Sequence, residues 1–432
     1  MKFNRLKDVI KDQVRPIGSW AWNRLNLAGD DRAVRTFDFG PNQVKEVKEL
    51  MAKYAVSRPN IRTINWLVPY VKHPLFAGVY TILRFADYFS HEKAIQNRIV
   101  IYNRAGADLA PLREKISAAF PSLADSVCGL GGSGLGDPPP SDIAIATCWQ
   151  SAYLLLRIKN TAAKFYFVQD FEPLFYPAGG TYGLVEATYR LGYWGIANTE
   201  GLGTFLRSSY DMKVQSFQPA VDPKVFYPKP NRLPTPVKIF FYGRPENPRN
   251  GFMLGIEALK KCKEEFKDLI QIVSAGGNWN PSDFGARGVV ENLGLLPSIQ
   301  DVASLYGSCH IGLVFMFTKH PSYQPIEMMA SGVAVVTNVN AATKWFLRDG
   351  SNSLLVEPTV TSIAEAIGRL VSDTQYRNRL MSEGLRTVGQ TCWAAEIESV
   401  YKFLAGDVDA GVGEKSASSI HDQSLQETER SR

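Results

Sequence analysis

Short apolar runs alternate with amphipathic runs along two long stretches of the chain. In the first stretch, from Thr63 to about Val225, the apolar runs predict five buried strands, at 63–69, 97–103, 142–147, 163–169 and 194–199. Amphipathic runs such as 78–90 and 183–191 lie between them and predict helices. Strands that alternate with helices imply a parallel sheet covered by helices on both faces.

A second alternation follows a proline-rich segment at 226–236, which we interpret as a linker. Its predicted strands are VKIFFYG, LIQIVSAGG, CHIGLVFM and VAVVTN, and its predicted helices lie at 250–266, 298–308 and 362–372. The pattern therefore predicts an α/β protein with two doubly wound, Rossmann-like domains, at 59–226 and 227–392, that face each other across a cleft. Such domains bind ligands at the carboxyl ends of their strands.

Three further segments flank these domains. Residues 1–58 are of mixed composition and predict a helical extension packed on the first domain. Residues 393–405 form an amphipathic pattern, which predicts a helix that crosses back to the first domain. Residues 406–432 are rich in Ser, Gly, Asp and Glu, so they bury too little apolar surface to fold and are predicted to be disordered.

Composition narrows the class of protein. The 432 residues are 45% hydrophobic and 21% charged, which is ordinary for a soluble globular protein. No apolar run is long enough to span a bilayer, and the amino terminus lacks a signal-peptide core. We therefore expect a cytoplasmic protein, with peripheral contact at the inner face of the cell membrane left open. The net charge of +6 is mild and no basic tract is clustered, so no nucleic-acid partner is expected.

Motifs for metals, disulfides and dinucleotides are weak. The five cysteines form no C-x-x-C pair, so neither a zinc site nor a disulfide framework is predicted. GLGGSG at 129–134 fits a dinucleotide-binding pattern, but it follows no predicted strand and runs into three prolines instead of a helix. The D-x-D sequence at 407–409 lies in the predicted tail, where solvated charge is the better interpretation. No metal or other cofactor is expected.

One glutamate, Glu327, stands in the apolar run PIEMMASGVAVVT. Pro325 suits the first turn of a helix, and the backbone N–H groups of such a helix start attract phosphates. A carboxylate beside that anion can accept hydrogen bonds from the sugar hydroxyls of a nucleotide. Alternatively, Glu327 only complements the helix dipole.

Several segments resemble family-4 glycosyltransferases of the GT-B fold. They lie in this order along the chain: AVDPKVFYP at 220–228, FYGRPENPRNG at 241–251, PIEMMASGVAVVTN at 325–338 and DGSNSLLVEP at 349–358. Residues 164–190 of the first half are similar to the WsaF-type bacterial rhamnosyltransferase subgroup. This resemblance implies two facing domains with a nucleotide-sugar donor on the second and an acceptor on the first.

The resemblance also implies roles for residues of the second domain. Arg244 and Arg249 match the two basic positions that hold the donor diphosphate, just after the strand end at Tyr242 and Gly243. Glu327 matches the later glutamate of the E-x7-E motif, which binds ribose, whereas Lys319 stands where the earlier glutamate is expected. Further donor contacts are expected from His320 to the sugar, from Ser322 and Tyr323 to the phosphates, and from Leu295 and Leu296 to the base.

In the first domain, Asp170 and Glu172 follow a predicted strand in VQDFEP. Either carboxylate could orient or deprotonate an acceptor hydroxyl, although Asp170 could instead cap a loop. Gly78 would let an acceptor approach the backbone closely.

The resulting hypothesis is a retaining, metal-independent rhamnosyltransferase for surface polysaccharide. It would move L-rhamnose from dTDP-L-rhamnose to a saccharide or lipid-linked saccharide. A transferase using GDP- or UDP-linked hexose and a catalytically silent glycan- or nucleotide-binding protein stay as alternatives. The sequence gives no oligomeric state.

Overall fold

Two parallel sheets, each covered by helices, form the structure. The computed structural model describes residues 32–57, 60–74, 77–103, 109–130, 138–229 and 235–406. The predicted disordered tail and most of the predicted N-terminal extension, residues 1–31, lie outside the described residues.

The first sheet has seven strands in the order β3-β2-β1-β4-β5-β6-β7. Its strands are β1 (Thr63–Val68), β2 (Gln96–Ile101), β3 (Val127–Gly129), β4 (Ser141–Ala146), β5 (Thr161–Val168), β6 (Trp194–Asn198) and β7 (Val214–Phe217). The helices that precede or connect them are α1 (Pro41–Ser57), α2 (Ala77–Lys93), α3 (Ala110–Ala119), α4 (Trp149–Arg157), α5 (Gly180–Ala187) and α6 (Glu200–Tyr210). Because helices cover both faces, the central strands are buried on both sides and mostly apolar, as β6 shows with all five residues buried.

The second sheet has six strands in the order β10-β9-β8-β11-β12-β13. Its strands are β8 (Val237–Tyr242), β9 (Ile270–Ala275), β10 (Glu291–Asn292), β11 (Ile311–Leu313), β12 (Ala334–Asn338) and β13 (Leu354–Val356). Its helices are α7 (Phe252–Phe266), α8 (Ile299–Ser308), α9 (Gln324–Ala330), α10 (Val360–Ser372) and α11 (Thr374–Val388). The two-domain, doubly wound architecture predicted from the apolar pattern is confirmed.

The last described helix, α12 (Trp393–Leu404), returns to the first domain as predicted. Its buried residues Ile397, Val400, Phe403 and Leu404 belong to the apolar core of the first sheet. Polar contacts fix the same helix, because Glu398 forms an ion pair with Lys93 at 2.8 Å and Glu396 accepts from the Gln218 N–H at 2.7 Å. The first domain is therefore built from two separate parts of the chain.

The prediction that no strand precedes GLGGSG is wrong. A short strand, β3, does lead into the motif and ends at Gly129. Residues 138–140 after the motif run directly into β4 without a helix, and residues 131–137 lie outside the described part. The helix start that a dinucleotide site needs is therefore missing from the described residues that follow the motif.

Within the described ranges, no helix is both long and apolar enough to cross a membrane.

Candidate active site

The two domains meet at the loops that follow the carboxyl ends of their central strands. β5 of the first sheet leads into Asp170, while β8 and β11 of the second sheet lead into Arg244 and Thr318. A direct hydrogen bond joins the two sides, because the Thr318 hydroxyl donates to Asp170 Oδ2 at 2.6 Å. The predicted acceptor side and the predicted donor side therefore lie in contact.

Asp170 is a buried carboxylate with two donors. Its Oδ1 accepts from the Phe171 N–H at 2.7 Å, and its Oδ2 accepts from Thr318. Burial raises the pKa of Asp170 to about 6, although these hydrogen bonds and the nearby Arg249 guanidinium hold it down. Each oxygen keeps a second lone pair for a substrate hydroxyl. Asp170 is therefore ionised at neutral pH and able to accept one more hydrogen bond.

Arg249 lies on a 3-10 turn, Pro248–Asn250, at the start of α7. The turn is fixed because Asn250 donates to the Phe315 carbonyl at 3.1 Å. The guanidinium packs over the Phe175 ring of the first domain, 4.6 Å from its centroid, and no described residue accepts a hydrogen bond from it. Burial lowers the pKa of Arg249 and Asp170 counters this, so the site holds a cation that lacks an anionic partner in contact.

Arg244 is already engaged within its own domain. Its Nε donates to Glu246 at 3.1 Å, and its terminal nitrogen donates to the Tyr242 hydroxyl at 3.2 Å. Gly243, between them, is packed so closely that a side chain would meet Ser274 Oγ at 2.3 Å. Arg244 therefore has two of its five N–H donors in use, whereas those of Arg249 have no acceptor among the described residues.

A rigid loop after β11 carries Lys319 and His320. The Asn340 amide donates to the carbonyls of Met316, Thr318 and His320 at 2.9, 3.0 and 3.1 Å. The Lys319 ammonium lies 4.4 Å from the centroid of the Phe205 ring in the first domain. Three backbone carbonyls held by one side chain fix the direction of the loop before any ligand arrives.

His320 is neutral. Burial and Arg249 lower its pKa to about 3. Its Nδ1 accepts from the Ser322 N–H at 2.9 Å, so the remaining proton is on Nε2 and can be donated to a ligand oxygen. Ser322 itself is buried and has a φ of 54°, a left-handed conformation that is unusual for a residue other than glycine. The strained loop is held by its surroundings, as is common at binding sites.

Tyr323 reaches the first domain instead of standing free beside a phosphate. The Thr81 hydroxyl of α2 donates to its phenol oxygen at 3.4 Å, and its ring stacks on His320 with centroids 5.5 Å apart. Tyr323 is therefore an interdomain contact in this arrangement, and its phosphate contact stays a prediction.

Glu327 lies in the first turn of α9, as expected from Pro325. Burial raises the pKa of its carboxyl to about 7, and Arg84 of α2 lowers it. No described residue donates a side-chain hydrogen bond to the carboxylate. Glu327 is therefore costly to keep ionised among the described residues, which favours a ligand role over a simple dipole contact.

Glu172 has a structural partner that its sequence position did not predict. Its Oε2 accepts from the Trp149 N–H at 2.7 Å and so caps the start of α4. Complete burial raises its pKa to about 8. Gly78 is covered by Gln169, whose amide donates to the Gly78 carbonyl at 3.1 Å. The acceptor contacts expected of Glu172 and Gly78 stay predictions, and the geometry favours Asp170 over Glu172.

The predicted base-binding loop lies beside the end of β9. The Gly276 N–H donates to the Gly294 carbonyl at 3.0 Å, and the Leu295 N–H donates to Asn278 at 3.0 Å. Leu295 is 53% exposed, whereas Leu296 is partly buried against the core. Leu295 is therefore the residue of the pair that offers an apolar surface to a ligand.

Sequence reasoning missed Thr318, Phe175 and Arg84. Thr318 stands in the predicted loop but carries no charge, and the other two belong to the opposite domain from the groups they meet. Only the folded arrangement brings them together.

Among the residues that the structure describes, no three His, Cys, Asp or Glu side chains converge on one point.

Replacing Glu327 separates its two possible roles. We expect Glu327→Ala to weaken dTDP binding about 10- to 150-fold, since a hydrogen bond to a charged group contributes roughly 1.5–3 kcal/mol. Because the pKa of Glu327 is raised from 4.5 to about 7, its burial lowers stability as the pH rises between these two values, and the loss is complete above about pH 7. The ligand-free variant should therefore melt no earlier than wild type at pH 8. Calorimetric titration and thermal melts measure both. The exposed Glu365 of α10 supplies the control, Glu365→Ala. Equal dissociation constants for wild type and Glu327→Ala would show that Glu327 does not bind the nucleotide and only complements the helix dipole.

Several known proteins are similar in sequence to this chain. Residues 237–368 match the family model described as WsaF, C-terminal domain. The O-antigen biosynthesis protein RfbC of Myxococcus xanthus is 38% identical over 406 residues, which cover 90% of this chain and 32% of RfbC. A phosphatidyl-myo-inositol mannosyltransferase of Mycobacterium leprae is 27% identical over 179 residues, which cover 39% of this chain and 46% of that protein. The chain therefore spans less than half the length of these relatives.

Solved structures share the arrangement of both domains. Sucrose-phosphate synthase from Thermosynechococcus elongatus has a TM-score of 0.62 at 16% identity, covering 81% of this chain and 100% of that chain. HepE of Anabaena, in complex with UDP and glucose, has a TM-score of 0.61 at 14% identity, covering 80% of this chain and 99% of that chain. At these identities the likeness concerns the fold. The chain therefore has the GT-B fold, and its residues 237–368 match the WsaF C-terminal domain family.

Proposed function

We propose that the chain is a glycosyltransferase of bacterial surface-polysaccharide assembly. The reaction that we favour is the transfer of L-rhamnose from dTDP-L-rhamnose to a saccharide or lipid-linked saccharide acceptor. The observation that carries the proposal is that a buried carboxylate, Asp170, and a guanidinium with no described acceptor, Arg249, lie near each other on opposite sides of the cleft between the domains. The names of relatives support the setting, because RfbC is described as an O-antigen biosynthesis protein.

The two charges have separate tasks. Arg249, with Arg244 behind it, binds the donor diphosphate and stabilises the charge that grows on it as it departs. Asp170 accepts a hydrogen bond from the acceptor hydroxyl and directs its oxygen to the anomeric carbon of the sugar. A bond forms between that oxygen and the anomeric carbon, the bond from the same carbon to the diphosphate oxygen breaks, and the hydroxyl proton leaves with the diphosphate. This arrangement suits transfer with retention and without a metal, as the family resemblance implies.

The choice of donor rests on Lys319, which lines the cleft between the domains. Lys319 replaces a carboxylate that would bind sugar hydroxyls, and its ammonium lies on the Phe205 ring. A 6-deoxy sugar has one hydroxyl fewer to bind, so it suits a site that has lost this acceptor. HepE, with the same fold, is solved with UDP and glucose, so UDP-hexose is the second candidate donor. A cytoplasmic location with peripheral membrane contact belongs to the same proposal.

A donor screen tests the function. We expect the purified protein to release dTDP from dTDP-L-rhamnose at least tenfold faster than it releases nucleotide from UDP-glucose or GDP-mannose, with EDTA present. The release is measured by coupled nucleotide detection with saccharide acceptors, and NMR of the product gives the anomeric configuration. Faster nucleotide release from UDP-glucose would show that the donor is a UDP-hexose and not dTDP-L-rhamnose. No release from any donor, together with tight nucleotide binding in calorimetry, would favour the silent binding protein.

A further inference from the structure

Within the described residues, the one side-chain hydrogen bond to Asp170 comes from the opposite domain. Thr318 Oγ1 lies 2.6 Å from Asp170 Oδ2, and both residues are buried, at 5% and 7% exposure. The same hydroxyl lies 3.3 Å from the Met316 sulfur, a much weaker acceptor than a carboxylate. The proton of Thr318 is therefore directed to Asp170.

Thr318 is held in place by its own domain before it meets Asp170. Its carbonyl accepts from Asn340, and the preceding Met316 is bound through both its N–H and its carbonyl to Asn338, each at 2.9 Å. Asn338 is the last residue of β12, so the end of a sheet strand supports the loop. A donor held on a rigid element can fix the orientation of a partner group within narrow limits.

The other groups around Asp170 cannot replace this contact. The Phe171 N–H belongs to the same loop as Asp170, so its hydrogen bond to the carboxylate does not depend on the arrangement of the two domains. Arg249 acts as a nearby positive charge, and Glu172 and Tyr189 face Asp170 from the first domain as an acid and a phenol. Of these, Thr318 and Arg249 lie on the second domain, and only Thr318 is hydrogen bonded to the carboxylate.

We propose that Thr318 is a positioning residue, whose hydroxyl supplies a hydrogen bond to the Asp170 carboxylate when the two domains close over the cleft. Its hydroxyl turns the carboxylate to the acceptor hydroxyl and holds it ionised, so acceptor activation is tied to the closed arrangement of the two domains. The inference rests on the proposed function, which gives Asp170 its acceptor.

Three variants test it. Thr318→Val keeps the shape and removes the hydroxyl, whereas Thr318→Ser keeps the hydroxyl. Thr161→Val makes the same chemical change at the buried start of β5, where the hydroxyl donates to the Ala163 carbonyl at 3.1 Å. Two measurements apply to each: the pH profile of turnover with dTDP-L-rhamnose and acceptor, and the carboxyl titration of Asp170 by NMR of protein labelled with ¹³C at the aspartate γ carbon. The Asp170 signal is assigned by its absence in Asp170→Asn.

The sign of the effect follows from the hydrogen bond. A donor stabilises the ionised carboxylate, so its loss raises the pKa of Asp170 above its value of about 6. Activity needs the ionised form, so the acid limb of the pH profile should move to higher pH in Thr318→Val. Turnover of Thr318→Val at pH 6 should fall about tenfold or more. The acid limb of the pH profile should stay at its wild-type position in Thr318→Ser and in Thr161→Val.

The two measurements distinguish the two ways of failing. A Thr318→Val protein with the wild-type Asp170 titration overturns the positioning role, whatever its turnover. If wild type turns over no donor, the proposed function fails, and the titration still decides whether Thr318 controls the carboxylate. A titration that moves while the acid limb stays unchanged would also overturn the proposal, because Asp170 ionisation would then not limit the reaction.

Discussion

Arg249→Ala should lower donor kcat/KM by about 30- to 1000-fold, because a charged contact to a departing diphosphate contributes about 2–4 kcal/mol. The reason lies in the engagement of the two arginines. Arg244 is bound by Glu246 and Tyr242, whereas Arg249 lies on the face of Phe175 with its N–H groups free of described acceptors. The diphosphate therefore meets Arg249 with little to displace.

The fold should survive this change, since Arg249 contributes a ring contact and no described side-chain hydrogen bond. The melting temperature of ligand-free Arg249→Ala should stay within a few degrees of wild type. Arg249→Lys should recover only part of the lost turnover, because an ammonium does not reproduce the planar fork of a guanidinium. The exposed Arg287 before β10 gives the control, Arg287→Ala, with wild-type kinetics expected. Near-normal turnover in Arg249→Ala would remove Arg249 from the diphosphate site.

Ending the chain at Gln390 should abolish soluble, cooperatively folding protein. The shortened chain lacks α12, whose Ile397, Val400, Phe403 and Leu404 are buried in the first domain. At about 1.5–3 kcal/mol for each buried side chain, the loss is roughly 6–12 kcal/mol, which equals the whole stability of a typical domain. Soluble yield, gel filtration and thermal unfolding by circular dichroism measure the outcome.

Two controls sharpen this test. A chain ending at Gly406 keeps α12 and should fold like the full chain. Glu398→Ala removes only the partly exposed ion pair with Lys93 and its bond from Tyr88, and it should lower stability by about 1 kcal/mol or less. A soluble chain ending at Gln390 with the melting curve of the full chain would show that α12 is dispensable for the first domain.

The apolar pattern predicted the central strands well and missed the edges. The unpredicted strands β3, β7, β10 and β13 are the outermost strands of the two sheets. They have two to four residues and are only partly buried, as in VQSF of β7, so they lack a long apolar run. Central strands are apolar because both faces are covered, and this is the signal that a sequence reveals most directly.

The candidate site was predictable only within each domain. Asp170 follows from a strand end and Glu327 from a helix start that local sequence specifies, whereas Arg249 was predicted from the family resemblance. Thr318 and Phe175 could not be found in this way, because their importance depends on a partner about 150 and 70 residues away along the chain, respectively. Glu172 illustrates the reverse case, since a strand-end carboxylate proved to bind the start of α4.

The return of α12 to the first domain also delays the completion of that domain's core during synthesis on the ribosome. The last strand of the first sheet ends at Phe217, but the helix that completes its core begins at Trp393. At roughly 5–20 residues per second, the ribosome needs about 10–35 seconds to make the chain between them. During this interval the second domain can fold on its own, while the first has an uncovered apolar surface that chaperones or neighbouring chains can bind. We therefore expect the nascent first domain to be the part of the protein most prone to aggregation.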